Sequence, residues 1–319
     1  MYNIYQKYRS IIIILIKLLI VTVAFYFVSQ KITHADIASN GGFIQQIRLN
    51  IFSQPFTILT VLGFTVINWF FEVFKWKTLV SSVQNISFFQ AFKQSTSSLT
   101  ASLLTPNRIG EYGAKAIYYA AYQRKRVMFL NLIGNLSQML ITVAFGLIGF
   151  IILYDQFTFA IDFQIKTIYL FVILFILIAL IFNQFKKNII PNIIIYFKQI
   201  PISDLIKSIQ FSLFRYLIFS HQFYFLLLVF GVKIDYFTAI GAICSMYFIA
   251  SVIPSFVVFD FIVKGSIAIP VFGLFDVPEI IILSITTLMW LLNFALPAII
   301  GSYFVFTFEL PTTAKAFVK

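Results

Sequence analysis

Apolar runs of helical length recur along the whole chain, and polar residues enter them in only a few places. A helix that crosses a membrane needs about 20 apolar residues. By that measure residues 11–28, 55–74 (extending towards 80), 127–153, 165–182, 211–230 and 279–306 each predict a full crossing. Four further apolar stretches, 92–104, 109–122, 237–253 and 261–272, are too short to cross alone. They come as two pairs, the first interrupted at Pro106 and the second at Pro254. The pattern predicts an all-α polytopic membrane protein with about six full transmembrane helices and two broken, re-entrant helix pairs. Residues 1–319 are read as one integral-membrane domain, with a first repeat over about 55–153 and a second over about 211–306. Helices 11–28 and 165–182 lie outside the repeats. Lys7 and Arg9 precede 11–28 as in a signal peptide, but the run is long enough to span and no A-x-A site follows, so an uncleaved helix is expected.

The first break carries most of the chemistry. Residues 104–118 set a proline, two glycines, two cations and a carboxylate into an otherwise apolar context. Pro106 lacks an N–H and disfavours helical geometry at Thr105, while Gly110 and Gly113 make bending cheap, so a helix breaks and a second one starts. Asn107 is the expected cap of that second helix, and Glu111 in its first turns complements the dipole. Arg108, Glu111 and Lys115 then share one helical face, where the carboxylate can pair with either cation. Ionisable groups set among apolar spans usually face a cavity or the bundle interior.

The two breaks also align with each other. Phe89-Gln90-Ala91 precedes Pro106 much as Phe237-Thr238-Ala239 precedes Pro254, and beyond the prolines Glu111 matches Asp260 and Lys115 matches Lys264 with one residue inserted. Broken helices at corresponding positions of two halves point to a transporter's binding site. Basic residues favour the cytoplasmic side, and six crossings place segments 75–93, 124–126 and 183–207 together with the N-terminus on that side. The halves are then inverted and both termini cytoplasmic. Trp69 and Trp76, with Lys75 and Lys77, are expected to form an interfacial anchor. Asn131, Asn135 and Gln138 recur at helical spacing and predict a stripe turned towards the broken segments, as polar cavity lining or as interhelical hydrogen bonding.

Composition sharpens the class. The 319 residues are 61% hydrophobic and only 11% charged, with a formal net charge of +12. So apolar a chain leaves no extramembrane basic domain for a nucleic acid. Cys244 is alone, which excludes a disulfide framework, and His34 and His221 are isolated, so no metal and no cofactor is expected.

The run Thr105-Pro106-Asn107-Arg108-Ile109-Gly110-Glu111-Tyr112-Gly113-Ala114-Lys115, with the later Ile253-Pro254-Ser255 and Asp260, Lys264 and Gly265, resembles the lysylphosphatidylglycerol synthase transmembrane-region family. This flippase-like domain forms the N-terminal part of the bacterial multiple peptide resistance factor and also occurs alone. The resemblance covers nearly the whole chain and implies translocation or export of a lipid, or a lipid-linked species, across the cytoplasmic (inner) membrane. Aminoacylation is not implied, because the domain that performs it would follow the spans.

The leading expectation is therefore a flippase-like membrane protein rather than an enzyme, acting on a membrane lipid with an anionic phospholipid or lipid-linked headgroup. Pro106, Asn107, Arg108, Gly110, Glu111, Lys115, Pro254, Asp260 and Lys264 are the candidate substrate-binding residues, and a second copy of the chain or a separate synthase are the open protein partners. Arg108, Lys115 and Lys264 would attract the phosphate, and Glu111 and Asp260 would hold them when the site is empty. An ion- or proton-coupled small-solute transporter, with Glu111 and Asp260 as the titrating pair, is the alternative. An integral-membrane transferase is disfavoured, since no clustered acidic or histidine residues stand out.

Overall fold

The computed structural model of the chain describes residues 26, 45, 47–52, 54–103, 105, 108–157, 195–253 and 260–308. The expected helices 11–28 and 165–182, and the positions Pro106, Asn107 and Pro254, lie outside the described residues. Among the described residues there is no strand. Eight helical segments form the body: α1 (Pro55–Val80), α2 (Phe88–Ser102), α3 (Ile109–Ala116), α4 (Arg124–Ile152), α5 (Ile202–Val229), α6 (Tyr236–Val252), α7 (Asp260–Gly273) and α8 (Glu279–Phe306, with one π-helical turn at Leu291–Ala295). Helices α1, α5 and α8 are long and apolar enough to cross a membrane, as is α4 with the short 3-10 turn before it. The protein is thus an all-α membrane protein whose described part carries four such helices.

Local sequence explains most of the boundaries. Pro55 sits in the first turn of α1, where its missing N–H costs nothing. The Ser87 hydroxyl accepts from the Gln90 N–H while the Gln90 side chain accepts from the Ser87 N–H, a reciprocal cap that starts α2 four residues before the expected Phe92. The Asp235 carboxylate accepts from the Phe237 and Thr238 N–H groups and starts α6. Two boundaries move further. Helix α5 begins at Ile202 rather than at the expected 211, and α3 ends at Ala116 instead of continuing to Tyr122.

The helices pack in pairs: α1 on α5, α2 on α8, and α4 on α6, with α3 held between α2 and α4 and α7 between α6 and α8. Where no water drives helices together, small residues at the crossing let the backbones approach. A Cβ at Gly149 would stand 2.7 Å from the Gly241 carbonyl oxygen, which is why α4 and α6 can cross so closely. At the α2–α8 crossing a Cβ on Gly301 would run into the Thr96 carbonyl, and nearby the Thr100 hydroxyl donates to the Ala298 carbonyl at 2.7 Å. Gly301→Leu is therefore expected to destabilise the protein by about 1–3 kcal/mol through overpacking, read as a lower midpoint in a thermal melt in detergent. An unchanged midpoint would mean that α2 and α8 are not held by this contact.

The interfacial anchor does not form as expected. Trp69, Lys75 and Trp76 are buried inside the protein, because the face of α1 that carries them is turned towards α2, α4 and α8 instead of the lipid. The face of α4 opposite its polar stripe, by contrast, exposes Leu136, Leu140 and Leu147, an apolar surface suited to lipid.

Candidate functional site

After the first break, the start of α3 is set by a left-handed residue and a threonine hydroxyl. Arg108 occupies the N-cap of α3 in the left-handed region (φ 59°), with no side-chain cap bond of its own. The hydroxyl of Thr105 instead accepts from the Gly110 N–H at 2.9 Å. That contact needs Gly110, since a Cβ there would lie 3.0 Å from the threonine side chain and 3.1 Å from the Ala101 carbonyl. The Thr105 hydroxyl thus covers the start of α3, while the expected cap at Asn107 lies outside the described residues.

From this start α3 delivers its charged face inward. Arg108 and Lys115 each pair with Glu111 at 2.8 Å, and the carboxylate side chain is 2% exposed. Lys115 also donates to the Asn131 side-chain oxygen at 2.8 Å and lies over the Trp76 ring, 4.3 Å from its centroid. Trp76 is held in turn by the Gln94 side-chain oxygen, which also accepts from the Tyr119 hydroxyl. Lys115 is therefore enclosed by protein partners, whereas the Arg108 side chain remains 26% exposed. Asn135 donates to the Tyr112 hydroxyl at 3.1 Å, so two members of the α4 stripe meet the broken segment. Gln138 does not. It reaches the Ser212 carbonyl of α5 at 3.4 Å.

The second break supplies a smaller counterpart. Lys264 and Asp260, one helical turn apart on α7, approach to 2.7 Å, and the ammonium also lies over the rings of Tyr247 and Phe294. Both charged side chains stay about a quarter or less exposed, and both line a cavity of about 240 Å³. Its wall draws on α1, α4, α5, α6, α7 and α8, with Asn68, Arg215, Tyr247, Trp290 and Asn293 among the lining residues.

A third group, centred on α1 and α5, joins the other two. Glu72 pairs with Lys75 on its own helix and with Arg215 across the α1–α5 contact. Arg215 also donates to the Asn68 side-chain oxygen at 3.0 Å, Asn68 donates to Asn293 at 2.7 Å, and Asn293 donates to Gln222 at 3.0 Å. Gln222 closes the chain on the Thr65 hydroxyl. A polar network thus ties α1, α5 and α8 together inside the bundle, where each unpaired group would cost several kcal/mol. The Arg108 guanidinium feels the carboxylates of Glu111, Glu72 and Asp260, which links all three groups electrostatically.

Of the site residues read from sequence, the structure brings Arg108, Glu111, Lys115, Asn131 and Asn135 into one contact chain and sets Asp260 and Lys264 on the cavity. Sequence reasoning missed Glu72, Arg215, Asn68 and Gln222. The signal was available in part: Asn68, Glu72 and Lys75 recur at the helical spacing that singled out the α4 stripe, and Arg215 is a charge within an apolar span. Compared with protein-family models, curated proteins and solved structures, the chain matches none.

Proposed function

We propose that the protein translocates an anionic lipid, or a lipid-linked headgroup, across the cytoplasmic membrane, as its resemblance to the lysylphosphatidylglycerol synthase transmembrane region implies. The observation that carries this reading is a cavity inside a membrane-spanning bundle whose wall combines two cations, Arg215 and Lys264, with apolar and aromatic residues such as Phe219 and Trp290. A phosphate needs the first and acyl chains tolerate the second. The element order supports an inverted repeat of α1–α4 and α5–α8: each runs long, short, short, long, and exchanging the halves leaves the pairing of α1 with α5 in place and converts α2–α8 into α6–α4. Rocking of one half against the other would then open the cavity to alternate faces. Loop charge supports cytoplasmic termini.

Asp260 on the cavity wall favours the second reading, a proton-coupled transporter of a small solute. A leaflet-resolved translocation assay in proteoliposomes separates the two. Labelled phosphatidylglycerol is expected to equilibrate between leaflets several-fold faster than phosphatidylcholine of the same chains, at a rate set by protein density. Equal rates for the two lipids, or uptake of a water-soluble substrate without lipid movement, would sink the lipid reading.

A further inference from the structure

Eight charged side chains meet inside the bundle, and their charges do not cancel. Among the described residues Glu72, Glu111 and Asp260 face Lys75, Arg108, Lys115, Arg215 and Lys264, so three negative charges stand against five positive ones and two positive charges remain. The eight form one electrostatic unit: Arg215 acts on Arg108 and Glu111, Arg108 on Glu72 and Asp260, and Glu72 on Lys115. The other described carboxylates with assigned positions sit at helix ends: Asp204 and Glu279 in first turns, Asp235 as a cap and Asp276 in the turn after α7. None of them pairs with this cluster among the described residues. Uncompensated charge in a low-dielectric interior is costly, so a surplus of two calls for a counter-anion.

Where the surplus resides follows from exposure. Lys75 and Lys115 are shut in, with side chains 4% and 2% exposed, and each is paired with a carboxylate. Arg108, Lys264 and Arg215 keep 26%, 24% and 14% of their side chains accessible, and the last two line the cavity. The Arg108 Nε is also buried without a partner, a donor left over within the same cluster.

We propose that the ligand presented to Lys264 and Arg215 in the cavity ends in a phosphomonoester, a near-dianion, rather than in a phosphodiester. This rests on the reading of the cavity as an anionic-lipid site. A phosphomonoester carries about −1.5 to −2 at neutral pH, matching the surplus charge of the cluster. A phosphodiester carries a single negative charge, which leaves one positive charge unanswered. The cavity, of about 240 Å³, has room for a phosphate headgroup beside its two cations.

The test uses the full chain in phosphatidylcholine nanodiscs, titrated with phosphatidic acid, phosphatidylglycerol or diacylglycerol of identical chains, and with inorganic phosphate as the soluble probe. Phosphatidic acid is expected to bind about tenfold or more tighter than phosphatidylglycerol, the worth of one added charge-assisted contact, and inorganic phosphate to compete with it. Lys264→Gln should shrink that preference, and Arg108→Gln serves if the first variant does not fold. Equal affinity for the two anionic lipids overturns the dianion assignment and leaves the anionic-lipid reading standing. Diacylglycerol binding as well as phosphatidic acid overturns both. Binding of inorganic phosphate without phosphatidic acid keeps the dianion site and overturns the lipid reading.

Discussion

Glu72→Leu is expected to cost the protein about 3–5 kcal/mol of stability, the usual result of removing one partner from a buried ion pair. The carboxylate compensates two cations at once, Lys75 on its own helix and Arg215 across the α1–α5 contact, and its side chain is 6% exposed. Without it Arg215 keeps only the Asn68 bond and Lys75 has no carboxylate partner of its own. The loss should appear as a lower melting midpoint and a smaller yield of monodisperse protein in detergent. Combining it with Lys75→Leu should recover part of the loss, because the double variant buries one cation fewer, and apolar replacement of whole ion pairs is often nearly neutral. A single variant as stable as the wild type would show that Glu72 does not hold the α1–α5 contact.

The other large effect separates two lysines that the sequence treats as equivalent. Lys264→Gln is expected to reduce lipid translocation roughly ten- to a hundredfold while leaving the melting midpoint close to wild type, since it removes a charge-assisted contact from the cavity wall. Lys115→Gln should do the reverse. Its ammonium is enclosed by Glu111, Asn131 and Trp76, so its loss leaves Glu111 with a single cation, Arg108, and chiefly lowers stability. Melting curves and translocation rates of both variants, measured side by side, decide the matter. If Lys115→Gln transports poorly at full stability, the first break contacts the ligand directly, and the division of roles drawn from burial is wrong.

The difference between those lysines marks what sequence could not reach. The i,i+4 spacing of Glu111 with Lys115 and of Asp260 with Lys264 guarantees that each pair can form on a helix, and both do. Spacing does not say which pair a neighbouring helix will cover. Asn131 and Trp76 close over the first, whereas the second borders the cavity. The Thr105 contact was out of reach for a related reason: which side chain meets the start of α3 depends on where the turn directs the chain, and here it carries the Thr105 hydroxyl to the Gly110 N–H.

By itself the sequence determined the class and the rhythm of this protein. Apolar length marks α1, α4, α5 and α8 as helices able to cross a membrane, and Pro106 with Gly110 and Gly113, and Pro254, mark the two broken pairs, because these are local properties of the chain. The α4 stripe was legible for the same reason, and two of its three members do meet the broken segment. Only the tertiary structure decided that Glu72, Arg215, Asn68, Asn293 and Gln222 form one network. Asn68 and Asn293 are 225 residues apart, and no local pattern specifies a hydrogen bond at that separation. It exists because α1, α5 and α8 pack together, and because polar groups brought inside an apolar bundle must find one another.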